Sequence, residues 1–126
     1  MGQRFCRHHR LTDASDFSRV FDQATVRETS QNTLLLGRLS ENPVNRLGMI
    51  VAKKNVPRAV DRNRIKRLMR EVFRNQSCLP SQSGLDVVLL VRKKIPKHQL
   101  GSLYRLFEKQ LRNLFLKARE KESRDN

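Results

Sequence analysis

The chain contains no tryptophan, one tyrosine and six phenylalanines, and hydrophobic residues make up only 37% of its 126 positions. That supply of bulk suits a single domain with one modest core, built as a thin two-layer structure. Long apolar runs are missing, and no stretch approaches the roughly 20 residues that span a bilayer. Cysteine is scarce: Cys6 sits in a charged arm and Cys78 in a polar loop. A bond between them is not expected in a reducing compartment. Cys6, His8 and His9 lie close together, but no second ligand pair at zinc-site spacing exists elsewhere. A flexible, solvated basic arm over residues 1–10 is therefore expected, with no metal. The arm has no apolar stretch after its cations, so it is not a signal peptide. Gly2 fails as a myristoylation site because Cys6 stands where Ser or Thr is required. A cytoplasmic protein is expected.

Acidic groups are also few, 12 against 27 Lys and Arg, for a formal net charge of +15. Asp13, Asp16, Asp22, Glu28, Glu41, Asp61, Glu71, Asp86 and Glu108 are scattered rather than clustered. A protein nuclease needs grouped carboxylates for metal ions or a histidine pair for proton transfer. Two of the three histidines lie in the arm and His98 beside a loop. There is no glycine-rich phosphate loop and no Ser or Cys nucleophile motif. No catalytic residue is assigned, and self-contained catalysis is not expected. So large a basic excess repels itself and makes sense when a polyanion neutralises it.

The cations concentrate in Asp61-Arg62-Asn63-Arg64-Ile65-Lys66-Arg67-Leu68-Met69-Arg70-Glu71. On a helix turning about 100° per residue, Ile65, Leu68, Met69, Val72 and Phe73 share one side. Asn63, Arg67, Arg70 and Arg74 point close to the opposite direction, with Lys66 at their edge. One side can pack into a core while the other presents guanidinium groups to phosphates. Asp61 and Glu71 read as local partners of these arginines.

Around this helix, spacing predicts the other elements. A first helix starts at an N-cap of Thr12 or Asp13 and places Phe17, Val20 and Phe21 on one face, stacking two rings. Thr33–Leu36 and Leu47–Ala52 read as strands, and residues 41–45 as a turn. The basic helix is placed over 58–75, after Pro57, and the loop at 80–84 leads into the clearest strand, Leu85–Val91. Leu100, Leu103, Leu106, Phe107, Leu111 and Leu114 share one face of a last helix that ends near Arg119, before a polar tail, 120–126, that should fray. The element order is α-β-β-β-α-β-α, an α+β sandwich of helices on one small sheet, with the domain spanning 11–119.

A basic helix cannot by itself choose between nucleic acids, because phosphate contacts carry no sugar or sequence information. DNA-reading helices expose side chains such as Asn63 to base edges, so a major-groove reader stays open at this point. Two features lean towards RNA. Lys53-Lys54 and Arg92-Lys93-Lys94 broaden the basic surface, and Phe17 and Phe21 offer stacking surface of the kind single-stranded RNA uses.

The residues also resemble a known family. Val51-Ala52-Lys53-Lys54 followed by Ala59-Val60-Asp61-Arg62-Asn63-Arg64-Ile65-Lys66-Arg67-Leu68-Met69-Arg70-Glu71 resembles the signature of the bacterial ribonuclease P protein subunit. Arg10-Leu11 with Asp16-Phe17-Ser18-Arg19-Val20-Phe21 is similar to its first helix, and Asp86-Val87-Val88-Leu89-Leu90-Val91-Arg92 to its last strand. The resemblance covers roughly residues 10–118. It implies an α–β sandwich with a left-handed βαβ crossover, against the usual handedness. It also implies a partnership with a catalytic RNA that removes the 5′ leader of precursor tRNA, the RNA holding the active site and most of the Mg2+. By that resemblance Arg62, Asn63, Arg64, Lys66, Arg67 and Arg70 contact the catalytic RNA, and Phe17, Phe21, Lys53 and Lys54 line a cleft for the leader. The protein is expected to be monomeric without RNA. The chain departs from the family pattern where Ala24 replaces a usual glycine and Thr33–Leu36 lack an aromatic ring. Aliphatic contact and the two lysines are expected to serve the cleft instead.

Overall fold

The strand from Gly84 to Val91 is buried at all but one of its eight residues. A strand apolar on both faces needs cover on both. That requirement gives the molecule three layers rather than the two expected from its lean composition. The structure is a computed structural model and describes residues 8–11, 14–40, 44–76 and 84–125. Cys6, Cys78, the N-cap candidates Thr12 and Asp13, and most of the turns expected at 41–45 and 80–84 lie outside those residues.

In chain order the elements are β1 (His8–Arg10), α1 (Ala14–Gln23), β2 (Val26–Thr29), β3 (Thr33–Ser40), β4 (Asn45–Ile50), α2 (Ala59–Gln76), β5 (Gly84–Val91), a 3-10 helix (Lys97–Ser102) and α3 (Leu103–Asp125). One mixed sheet holds the strands in the order β1-β4-β5-β3-β2. β5 is central, parallel to β4 and antiparallel to β3, so β4, α2 and β5 form the expected βαβ crossover.

Strand alternation sorts the core. Leu35, Leu47, Leu85, Val87, Leu89 and Val91 point to the side covered by α2 and α3, where Ile65, Met69, Val72, Phe73, Phe107, Leu111 and Leu114 meet them. Leu36 and Val88 point the other way, into a smaller cluster with Leu11 and Val20 under α1. On the same face, the paired row Leu34, Leu90 and Ile50 stays half-buried, an aliphatic floor beside α1.

Four further expectations change. The arm is not free to its end, because His8–Arg10 pairs in parallel with Asn45–Leu47 and the Leu11 amide continues to the Leu47 carbonyl at 3.0 Å. An outer strand with unpaired backbone groups recruits such a segment whatever its polarity. The last helix runs on through 120–125, a stretch in which Glu and Lys favour helix and no Gly or Pro stops it. Leu68 is only half-buried, since it lies at the margin of the apolar stripe. The rings of Phe17 and Phe21 part company: Val20 between them is fully buried, Phe17 is half-buried, and Phe21 is 40% exposed.

Candidate nucleic-acid interface

α2 begins after a braced loop. Asn55 is buried and donates its Nδ2 to the Val91 carbonyl at 2.8 Å, tying the turn that follows β4 to the end of β5. Arg62 donates from Nη1 to the carbonyls of Val56 and Pro57 at 3.0 and 2.9 Å. One guanidinium of the basic run is therefore spent partly on holding the helix start. Asp61 pairs with Arg58 at 3.9 Å, the local role expected of it. Beyond this first turn, Asn63, Arg64, Arg67 and Arg70 are exposed and Lys66 is half-buried.

Lys66 and Arg70 lead into a cleft of about 440 Å3. Its cationic wall is completed by Arg10 and Arg74, and its apolar lining is Leu11, Phe17, Leu47, Met49 and Phe73. The opening lies at the outer edge of β4, where the last β1 pair is Arg10 with Leu47 and the strand continues through Gly48 and Met49. Gly48 is what lets α1 come so close. A Cβ built there would stand 2.6 and 2.7 Å from Phe17 Cζ and Cε1, distances no real Cβ tolerates. Phe17 thus rests on bare backbone with part of its ring facing the cleft.

The structure brings Phe17 together with Lys66 and Arg70, two groups that the family resemblance assigns to different ligands. It does not bring Phe21, Lys53 or Lys54 to that cleft's lining. Lys53 and Lys54 are exposed in the turn after β4, and Arg92, Lys93 and Lys94 are exposed after β5. Because β4 and β5 are parallel, these five cations share one end of the sheet, the broad basic surface that the sequence predicts. The Asn32 side chain donates to the Lys94 carbonyl at 2.6 Å and holds that segment against β3.

Sequence reasoning missed Arg10, Gly48, Met49, Phe73 and Arg74 as cleft residues. Gly48 carried a usable signal, since glycine inside an apolar strand marks a close approach of another group. Asp86 carried another, being the one charge in the most apolar strand. It is 1% exposed, and Arg46 donates to both of its oxygens at 2.8 Å. That hydrogen bonding holds the Arg46 guanidinium above its ordinary pKa, although its own burial pulls the other way. Among the described residues no three His, Cys, Asp or Glu side chains gather where they could hold a metal ion. Among the same residues, no helix is long and apolar enough to cross a membrane.

The geometry defines a class first: a small basic α+β module whose cationic helix and half-apolar cleft match a polyanion carrying planar bases. Comparison with known proteins makes the class specific. The family model described as Ribonuclease P matches residues 5–119. The ribonuclease P protein component of Marinomonas sp. (strain MWYL1) is 40% identical over 124 residues, covering 96% of this chain and 92% of its own. That of Pseudomonas paraeruginosa (strain DSM 24068 / PA7) is 42% identical over 106 residues, covering 83% and 76%. Among solved structures, the Thermotoga maritima RNase P protein superposes with a TM-score of 0.61 at 28% identity, over 84% of this chain and 94% of that one. The Staphylococcus aureus RNase P protein gives 0.64 over 89% and 96%, and at 22% identity it bears on the fold alone. The chain belongs to the ribonuclease P protein family, the protein component of a tRNA-processing ribonuclease.

Proposed function

We propose that this protein binds the catalytic RNA of ribonuclease P and the 5′ leader of precursor tRNA at adjoining surfaces, and leaves the chemistry to the RNA. The single observation that carries the proposal is the shared cleft, in which the Phe17 ring lies among the same lining as Lys66 and Arg70 of the basic helix. On this reading Asn63, Arg64, Arg67 and Arg70 meet the catalytic RNA from the exposed side of α2, with Arg62 partly committed to the loop and Lys66 turned to the cleft. Phe17 stacks on a leader base, with the Leu34–Leu90–Ile50 floor beside it. Phe21 extends the apolar surface along α1, and Lys53 and Lys54 neutralise leader phosphates at the sheet end.

Mg2+, held mainly by the RNA subunit, supplies the Lewis acidity for phosphodiester hydrolysis. The protein's share is positioning and charge neutralisation, and by itself it is not a nuclease. The protein works in the cytoplasm and is monomeric without RNA. Purified protein added to the bacterial catalytic RNA is expected to raise precursor-tRNA cleavage at low magnesium, while protein alone gives none. No improvement at low magnesium would overturn the proposal.

Gly48→Ala tests the leader side. Its Cβ must displace the Phe17 ring, so leader affinity should fall by the worth of one stacked base, about 1–3 kcal/mol. Affinity for the catalytic RNA should hold, because the exposed side of α2 is untouched. Binding measured with long-leader precursor and with catalytic RNA separates the two. Undiminished leader affinity would put Phe17 outside the leader site.

A further inference from the structure

The face of the sheet beneath α1 carries one charged row across three strands. Arg46 of β4 and Arg38 of β3 are both register partners of Asp86 in β5. Arg46 donates from Nε to Oδ1 and from Nη2 to Oδ2 of Asp86, both at 2.8 Å. From the other side Arg38 Nη1 lies 3.6 Å from Oδ2. Each arginine then reaches past the carboxylate to α1, and they reach opposite ends of it. Arg46 Nη1 is 3.5 Å from Asp16 Oδ2, in the first turn of the helix. Arg38 donates from Nε to Oε1 of Gln23, its last residue, at 3.0 Å.

The apolar contact under α1 is small. Its buried members are Leu11, Val20, Leu36 and Val88, with Phe17, Ala24 and Leu34 packed around them. Apolar burial is non-directional; it holds a helix against a sheet without fixing the angle at which the helix crosses the strands. A hydrogen bond is directional, and an ion pair is so too when its arginine is already held in place by a bidentate bond to a second carboxylate, as Asp86 holds Arg46. The ion pair from Arg46 over β4 and the hydrogen bond from Arg38 over β3 set that angle. The next row on the same face is Gly48, Val88 and Leu36, about 6.7 Å along the strands. A rotation of α1 about the sheet normal would therefore carry Phe17 off Gly48 and out of the cleft.

We propose that the Arg38–Asp86–Arg46 row is a positioning device that sets the crossing angle of α1 and so holds Phe17 at the leader site. Asp86 is the fixed point, and Asp16 and Gln23 are the two handles on the helix. None of the five touches RNA in this proposal. It rests on the leader-binding reading given above.

The test uses the reconstituted holoenzyme and changes only the handles, leaving Asp86 paired. Asp16→Ala with Gln23→Ala is expected to raise KM for precursor tRNA with a long leader about three- to tenfold, the worth of two modest polar contacts, with kcat unchanged. KM for precursor with a one-nucleotide leader and affinity for the catalytic RNA should stay as in the wild type. The ring-current shift that Phe17 imposes on the Gly48 protons should shrink in the NMR spectrum of the same variant. Asp16→Glu, which keeps the charge within reach of Arg46, should restore most of the long-leader KM. A general loss of structure would move both substrates and the RNA affinity together, and that result counts against a positioning role. Should the double variant fail to fold, Gln23→Ala at its exposed position carries the same readouts. Wild-type leader discrimination that survives the change, with the Gly48 shift intact, overturns the row's role alone. A wild-type holoenzyme indifferent to leader length overturns the leader reading and the row's role with it.

Discussion

Changing Arg67 and Arg70 together to alanine should weaken binding to the catalytic RNA by about two to four orders of magnitude. A charge-assisted hydrogen bond is worth about 1.5–3 kcal/mol, and each tenfold in affinity is about 1.4 kcal/mol. Both side chains are exposed, Arg67 on the side of α2 away from its buried residues Ile65, Met69, Val72 and Phe73 and Arg70 at the mouth of the cleft. Alanine favours helix at least as well as arginine, so the scaffold should survive, and unchanged far-UV circular dichroism would show it. The sharper measurement is salt dependence. Each phosphate left without its cation takes about 0.7–0.9 off the slope of log affinity against log salt concentration, so the double variant should flatten it by close to two such steps. An unchanged slope would mean that neither side chain meets phosphate.

Phe73→Ala should have the largest effect on stability, about 3–5 kcal/mol. Phe73 is 1% exposed and faces the Phe115 ring of α3 at a centroid distance of 6.2 Å and an interplanar angle of 40°. It joins α2 to α3 and also forms part of the cleft lining. Since domains of this kind are stable by only about 5–15 kcal/mol, the loss is a large fraction of the total. Urea unfolding gives the measurement, as a lower midpoint at unchanged slope. Leu68→Ala, at the half-buried margin of the same helix, should cost clearly less. If the two variants unfolded at the same midpoint, the assignment of Phe73 to the core would be wrong.

How much of this was legible beforehand follows from how local each signal is. The two sides of α2 could be read directly, because a 3.6-residue period places Ile65, Met69 and Val72 together without knowledge of anything else in the chain. The strand at Leu85–Val91 was legible because its signal is equally local, but the cover its two faces need was not drawn from it, and two layers were expected where the structure has three. Pairing is a different matter. That His8–Arg10 would lie beside β4 depends on the free edge of a sheet, where its register partners stand 37 positions further along the chain. That Arg38 and Arg46 would flank Asp86 depends on the registers of two strand pairs at once. Neither is written in any window of neighbouring residues. Phe17 and Phe21 show the same limit at smaller scale. Their spacing put them on one side of a helix, but only the position of Gly48 decides which ring lies down on the sheet.

The contact between Phe17 and Gly48 also constrains how the chain can change over generations. Neither position is free to vary alone: any side chain at 48 collides with the ring, and a smaller residue at 17 leaves bare backbone uncovered. The two sites, 31 positions apart in the chain, form one unit of inheritance. A lineage that acquires bulk at 48 has to shed it at 17 first, and passes through an intermediate with a gap above β4.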